Sequence, residues 1–140
     1  MVQTAAGEIE KAMGDRLVPG GTLDSVLQNL GVTGVFDHRA VLQNQSFDYI
    51  VIGDAIEIPD NTFGRRGYIN SITVNVWSRA LGSKPAVAIV KRLNELFDQQ
   101  SIPLSTQAHV STRYDQSMYV PQRDGLTLLA PVRYMIYSEE

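Results

Sequence analysis

The stretch GYINSITVNVWSRALGSKPAVAIVKRLNELFDQQ, residues 67–100, holds a strand followed by a helix, and the rest of the fold is read outward from it. Its first half alternates, with Tyr68, Ile72, Val74 and Val76 on one side and Ser71, Thr73 and Asn75 on the other. That is the period of a half-buried strand. Trp77 breaks the polar side only at the end, and Ala80-Leu81-Gly82-Ser83 supplies a turn. Proline is tolerated in the first helical turn, where its missing N–H costs nothing, and it disfavours helix at the residue before it, so a helix is predicted from about Pro85. Ala86, Ile89, Val90, Leu93, Leu96 and Phe97 then recur at three and four residues, with Lys91, Arg92, Asn94, Glu95 and Asp98 opposite. One apolar stripe of this kind covers one sheet face.

Upstream, Phe47 to Ile58 reads as a second strand, with Ile50, Ile52, Ile56 and Ile58 on one face and Tyr49, Val51 and Ala55 on the other. Two apolar faces suit a central strand, or one with a face against a partner. Residues 59–66, PDNTFGRR, carry the proline and glycine of an exposed hairpin loop projecting between the two strands. Val35-Phe36-Asp37 is a possible short strand, and Ala40 to Ser46 a polar loop. Nearer the N-terminus, Ala5, Ala6, Ile9, Ala12, Met13 and Leu17 give a short weak helix, interrupted by Gly7 and Gly14. Thr22 is placed to cap a second helix, whose Leu23, Val26, Leu27 and Leu30 keep helical spacing, and Gly31 is placed to end it in a left-handed conformation.

Downstream, Ala108 to Val120 alternates again, with Val110, Tyr114, Met118 and Val120 facing one way and His109, Ser111, Arg113, Asp115 and Ser117 the other. After a turn at residues 121–125, Leu126 to Tyr137 is the last strand, with Leu128, Val132, Tyr134 and Ile136 toward the core. Pro131 inside it cannot donate to a ladder, which predicts an edge strand or a bulge. The whole is an α+β domain spanning 1–140, with residues 1–21 as an N-terminal extension. Its antiparallel sheet has about four to five strands, one main helix packed on one face, and one or two N-terminal helices.

Composition narrows the function. A net charge of −3 with 19% charged residues is unlike a basic nucleic-acid binder, which draws its affinity from released counterions. Arg65-Arg66 reads as a loop tip and Lys91-Arg92 as a solvated helix face. The chain has no cysteine, hence no thiol nucleophile, thiolate metal site or disulfide framework. The first residues lack a basic start and an apolar run, and no apolar stretch nears the ~20 residues of a membrane span. Synthesis is expected to end in the cytoplasm, with no membrane contact.

Catalytic raw material is thin. His38 sits in a loop beside Asp37 and Arg39, and His109 alternates with polar residues on the expected solvent face. Asp48, Asp54, Glu57, Asp60 and Asp115 serve solubility unless folding gathers them. Residues 64–67, GRRG, lack the glycine spacing, lysine and following helix of a phosphate loop. No catalytic, metal or cofactor residue is assigned on these grounds. Aromatics are enriched where interfaces are anchored, which makes Phe63 and Trp77 candidates; packing at a sheet edge or under the main helix explains Trp77 equally well.

Three features together resemble the tail completion or tail terminator proteins of long-tailed bacteriophages. The first is Val35-Phe36-Asp37 with Phe47-Asp48-Tyr49-Ile50-Val51-Ile52-Gly53. The second and most specific is Ile72-Thr73-Val74-Asn75-Val76-Trp77-Ser78-Arg79 with Gly82 and the helix to Phe97. The third is Arg113-Tyr114-Asp115, Asp124-Gly125 and Val132-Arg133-Tyr134 near an acidic C-terminus. The likeness covers about Leu23 to Glu140. This sequence departs in lacking the family's usual proline before the tyrosine of the second strand, in Thr127 where histidine is common, and in Pro131 within the last strand.

The resemblance implies a structural virion protein at the tail or neck, made in the host bacterial cytoplasm. It implies a ring, commonly of six copies, that caps the tail tube, stops its polymerisation and joins the head connector or stopper. DNA would pass through the lumen without specific binding, and a negative net charge suits that passage because a basic lumen would hold phosphates. Asn61, Phe63, Arg65 and Arg66 are then expected to contact a neighbouring subunit or the tube, with Trp77 a further interface candidate. Other readings remain: another neck ring such as a head-closure protein, a tail-tube-like subunit, a small hydrolase or ligand-binding domain using Asp54, Asp115 and His109, or a nucleic-acid module resting on Arg65-Arg66.

Overall fold

The computed structural model describes residues 6–37, 47–60, 64, 66–79, 82, 84–101, 104 and 108–139. The elements run α1 (Ala6–Leu17), a 3-10 turn at Pro19–Gly21, α2 (Ser25–Asn29), β1 (Val35–Asp37), β2 (Tyr49–Pro59), β3 (Gly67–Ser78), α3 (Lys84–Phe97), β4 (Ala108–Ser117), β5 (Val120–Pro121) and β6 (Leu128–Glu139). The class is α+β, as expected. Among the described residues the sheet has six strands in the order β1-β2-β3-β6-β4, with β5 also on β6, so it is larger than anticipated. All described pairings are antiparallel but one: β1 runs parallel to β2, from Val35 opposite Ile50 to Asp37 opposite Ile52.

β3 and α3 form as their periods predict. Along β3, Tyr68, Ile72, Val74 and Val76 are buried while Ile69, Ser71, Thr73, Asn75 and Trp77 are half-buried on the opposite face. α3 buries Ala86, Ile89, Val90, Leu93 and Phe97, and begins within a residue of the expected start. Its stripe joins Ile9, Met13 and Leu17 of α1 and Leu27 of α2 over one sheet face, meeting Ile50, Ile52, Ala130, Val132, Tyr134 and Ile136. Arg16 of α1 donates to the Leu96 carbonyl and, at 3.3 Å, to Gln100 Oε1, tying α1 to the end of α3.

The short α2 is capped at both ends. Thr22 is not its N-cap; Asp24 is, its Oδ2 accepting from Leu27 N at 3.2 Å while its own N–H bonds the Leu17 carbonyl at 2.9 Å. At the other end Gly31 takes φ 92°, Gly31 N bonds Gln28 O and Val32 N bonds Leu27 O. Those two bonds are the Schellman closure, and they place buried Val32 beside buried Leu27.

Arg92 is not on a solvated face. It lies on the flank of α3 that α2 covers, its side chain 22% exposed, and both Nε and Nη2 meet the Asp24 carboxylate at 2.9 Å. One carboxylate thus caps α2 and pins it to α3, which a threonine at that position has no charge to do.

The strand readings fail wherever register shifts. A bulge between Ile52 and Ala55 reverses the phase of β2, because an extra residue in one strand turns every later side chain to the other face. Ile50 and Ile52 remain in the core, whereas Ile56 and Ile58 stand on the opposite face, 59% and 52% exposed. β4 shifts register twice, between His109 and Ser111 and between Tyr114 and Gln116. His109 therefore pairs with buried Ser138 on the helix-covered side rather than facing solvent, Thr112 becomes the buried residue, and Tyr114 and Met118 lie exposed.

Pro131 is neither on an edge strand nor at a bulge. β6 lies between β3 and β4, and Pro131 pairs in register with Asn75. Its carbonyl accepts from Met118 N at 3.0 Å, so its ring nitrogen faces the same side, where β4 has ended at Ser117 and β5 has not begun. The missing N–H falls in a gap that needs no donor.

Asn70 is an exception in the core. It is fully buried on the helix-covered face, and among the described residues neither its Oδ1 nor its Nδ2 has a hydrogen-bond partner. Burying an amide unpaired costs about 1–3 kcal/mol. Asn70→Leu, of similar size, is expected to raise unfolding stability by about 1 kcal/mol in urea titration; a loss of that size would show that the amide is bonded in solution.

Candidate functional site

The helices all lie on one side, so among the described residues the other face of the sheet has no helix over it. β2, β3 and β6 present on it an apolar strip near the β2–β3 hairpin. Ile58 pairs with Ile69 and Ile69 with Tyr137; Ile56 pairs with Ser71 and Ser71 with Met135. Ile56 and Ile58 are its exposed members, while Ile69, Met135 and Tyr137 are half-buried and Ser71 interrupts the strip. The hairpin base beside it is tight: Asp60 N bonds Gly67 O at 2.8 Å, and a Cβ on Gly67 would lie 2.6 Å from the Asp60 carbonyl oxygen, so only glycine fits.

At the far end of the same face is an aromatic cluster. Trp77 stacks on Tyr49 with ring centroids 6.3 Å apart, and Phe36 and Phe47 meet Tyr49 at 6.0 and 5.0 Å. Burial raises the Tyr49 phenol above its ordinary pKa, with the Arg79 charge opposing it. Trp77 is half-buried here, away from the main helix.

A polar joint holds this end. Asp48 Oδ2 accepts from Ser78 Oγ at 3.1 Å and its Oδ1 from Arg79 N at 2.9 Å. The Arg79 guanidinium lies 4.2 Å over the Phe47 ring, bonds Thr127 Oγ1 at 3.1 Å and reaches Asp124 at 3.8 Å. Asp124 in turn accepts from Thr127 Oγ1 and from the backbone N–H of Leu126 and Thr127, bonds that hold its carboxyl below the usual range. Val-Trp-Ser-Arg is therefore a structural sequence here: Ser78 and Arg79 lock the end of β3 to the starts of β2 and β6. Thr127 shows why a polar side chain stands at that point of the turn.

The sequence-predicted interface residues divide. Asn61, Phe63 and Arg65 lie outside the described residues, as does His38. Arg66 is exposed just before β3. Trp77, in the aromatic cluster, is separated from Arg66 by the length of β3. No periodicity flagged Ile56 and Ile58 as exposed, because only the bulge turns them out.

The possible catalytic trio does not converge. Asp54 is on β2, which β3 and β6 separate from β4, three inter-strand spacings or about 14 Å. His109 and Asp115 stand six residues apart on β4, roughly 20 Å along an extended strand. His109 bonds Thr112 Oγ1 at 2.6 Å, and burial lowers its pKa, while Asp115 pairs with Arg133. Among the described residues no group of three or more His, Cys, Asp or Glu side chains is placed to hold a metal ion, and no helix is long and apolar enough to cross a membrane.

No protein-family model matches the chain, and no curated protein matches it. Solved structures do match. A chain from the virion of a native gene transfer agent particle superposes with a TM-score of 0.87 over 99% of this chain and 100% of that one, at 18% identity. A second solved structure superposes with a TM-score of 0.58 over 99% and 97% of the two chains, at 16% identity. At these identities what is shared is the fold, along the full length of both chains.

Proposed function

We propose that this chain is a structural virion protein that assembles as a ring on the end of a tail tube, stops tube growth and offers its far side to the head connector. The observation that carries the reading is the full-length fold likeness to a chain of a gene transfer agent virion, together with the tail-terminator resemblance of residues 72–79. A sheet face that no described helix covers, with outward isoleucines, supports it, since a subunit of a multi-protein particle needs surface for several neighbours. In a closed ring each copy uses two different patches, and the apolar strip and the Trp77 cluster lie at opposite ends of that face. Asn61, Phe63, Arg65 and Arg66 are assigned to the contact with a neighbour or the tube.

The test adds the purified protein to polymerising tube subunits from the same particle and images the product. Short tubes bearing a discrete ring at one end are expected, near six copies by mass. Tubes that grow to the same lengths with and without the protein would overturn terminator activity. A ring found only on the head connector would instead favour a head-closure protein.

A further inference from the structure

Among the described residues β4 ends the sheet on the side away from β1, and the turn that follows α3 occupies two of its outward backbone groups. Gln99 N donates to the Thr112 carbonyl at 2.8 Å, and the Asp98 carboxylate accepts the Tyr114 N–H at 2.9 Å. A bulge stands on either side of this short stretch. Between the bulges the edge is regular, and there one outward donor, the Tyr114 N–H, and one outward acceptor, the Thr112 carbonyl, are taken. An open edge of that kind is a template for another strand.

The turn is held in an unfavourable conformation. Gln99 has φ 57°, left-handed backbone that glycine adopts freely and a side chain resists. Helices commonly end with glycine in that position. Here glutamine occupies it, and its N–H meets the edge strand.

The edge is also self-complementary. With a two-fold axis at Arg113, the Tyr114 N–H of one copy would meet the Thr112 carbonyl of the other, and the reverse, forming an antiparallel hydrogen-bonded pair. A groove of about 690 Å³ lies along the same edge, between the Asp98–Gln99 turn and His109, Ser111 and Arg113 of β4. We propose that the Asp98–Gln99 turn is an edge guard that keeps β4 closed to strand addition by a second copy of this chain. Arg113, which would face its own copy across the axis, opposes the same pairing by like-charge repulsion. The guard acts on an edge distinct from the uncovered face, so it stands whether or not the chain forms a tail ring.

The test compares Asp98→Ala with Asp98→Asn, which keeps an acceptor oxygen. In Asp98→Ala the Tyr114 amide is expected to exchange with solvent about tenfold faster, from loss of one hydrogen bond to a charged acceptor. Light scattering should then show species above the unsubstituted protein's mass distribution, more of them at high salt, where Arg113 is screened. Asp98→Asn should keep the original distribution. Asp98→Ser, too short to reach the amide, gives the same readout should the alanine variant fail to fold. Faster exchange at Tyr114 with an unchanged mass distribution at every protein and salt concentration would overturn the proposal.

Discussion

Phe97→Ala is expected to lower unfolding stability by about 3–5 kcal/mol, the range for truncating a fully buried phenylalanine. Phe97 has no exposed surface and meets the Tyr134 ring edge-on at 5.4 Å. Tyr134 is itself fully buried, and its hydroxyl donates to Asn94 Oδ1 one helical turn earlier, at 2.7 Å. Burial raises the Tyr134 phenol far above its ordinary pKa, with the nearby Tyr114 and Asp98 acting in the same direction, so the hydroxyl stays a donor. Removing the Phe97 ring therefore opens a cavity at the last turn of α3 and loosens a partner that holds the helix to β6. Against a total stability of ~5–15 kcal/mol for a domain, this is a large share. Urea unfolding monitored by tyrosine and tryptophan fluorescence measures it; a loss under about 1 kcal/mol would mean that the helix end collapses into the space.

Asp24→Ala follows, at about 2–4 kcal/mol, because it removes a helix cap and leaves the Arg92 guanidinium in a largely covered place without its carboxylate. The Asp24 side chain is 11% exposed and that of Arg92 22%, so solvent screens the pair far less than a surface one. Arg92→Ala should cost less, since Asp24 keeps its Leu27 bond, and the double substitution should cost less than the sum. The Arg92 hydrogen bond holds the Asp24 carboxyl below its ordinary pKa, with burial opposing and the Leu27 N–H assisting. A carboxyl lowered in the folded state stabilises above its unfolded value of about 4 and loses that contribution as pH falls through the folded value. The gap between the unsubstituted protein and Asp24→Asn should hold at neutral pH and narrow below about pH 4. A gap that stays constant through the acid range would remove the ion pair from the account.

The Asp24–Arg92 pair also shows where local reading stops. Both residues were visible, one beside an apolar helix and one on the polar flank of another, yet 68 positions separate them along the chain. Nothing in either segment alone says that they meet. For Asp124, Thr127 and Arg79 the case is similar: a turn signal and a short motif were both legible, but not that they form one joint.

What the sequence determined by itself was whatever depends on neighbours a few residues away. The alternation of β3, the stripe of α3, the hairpin between β2 and β3 and the glycine close of α2 all follow from periods of 2 and 3.6 and from backbone permissiveness. Tertiary structure alone decided how these pieces align. A bulge is set by the strand alongside, so it was the pairing with β3 that turned Ile56 and Ile58 outward, and the pairing with β6 that brought His109 onto the helix-covered side. Pro131 reads as an edge residue until the gap between β4 and β5 is seen beside it. The uncovered face, which carries the proposed assembly role, exists because periodicity states that a strand has two faces while only packing states which of them the helices take.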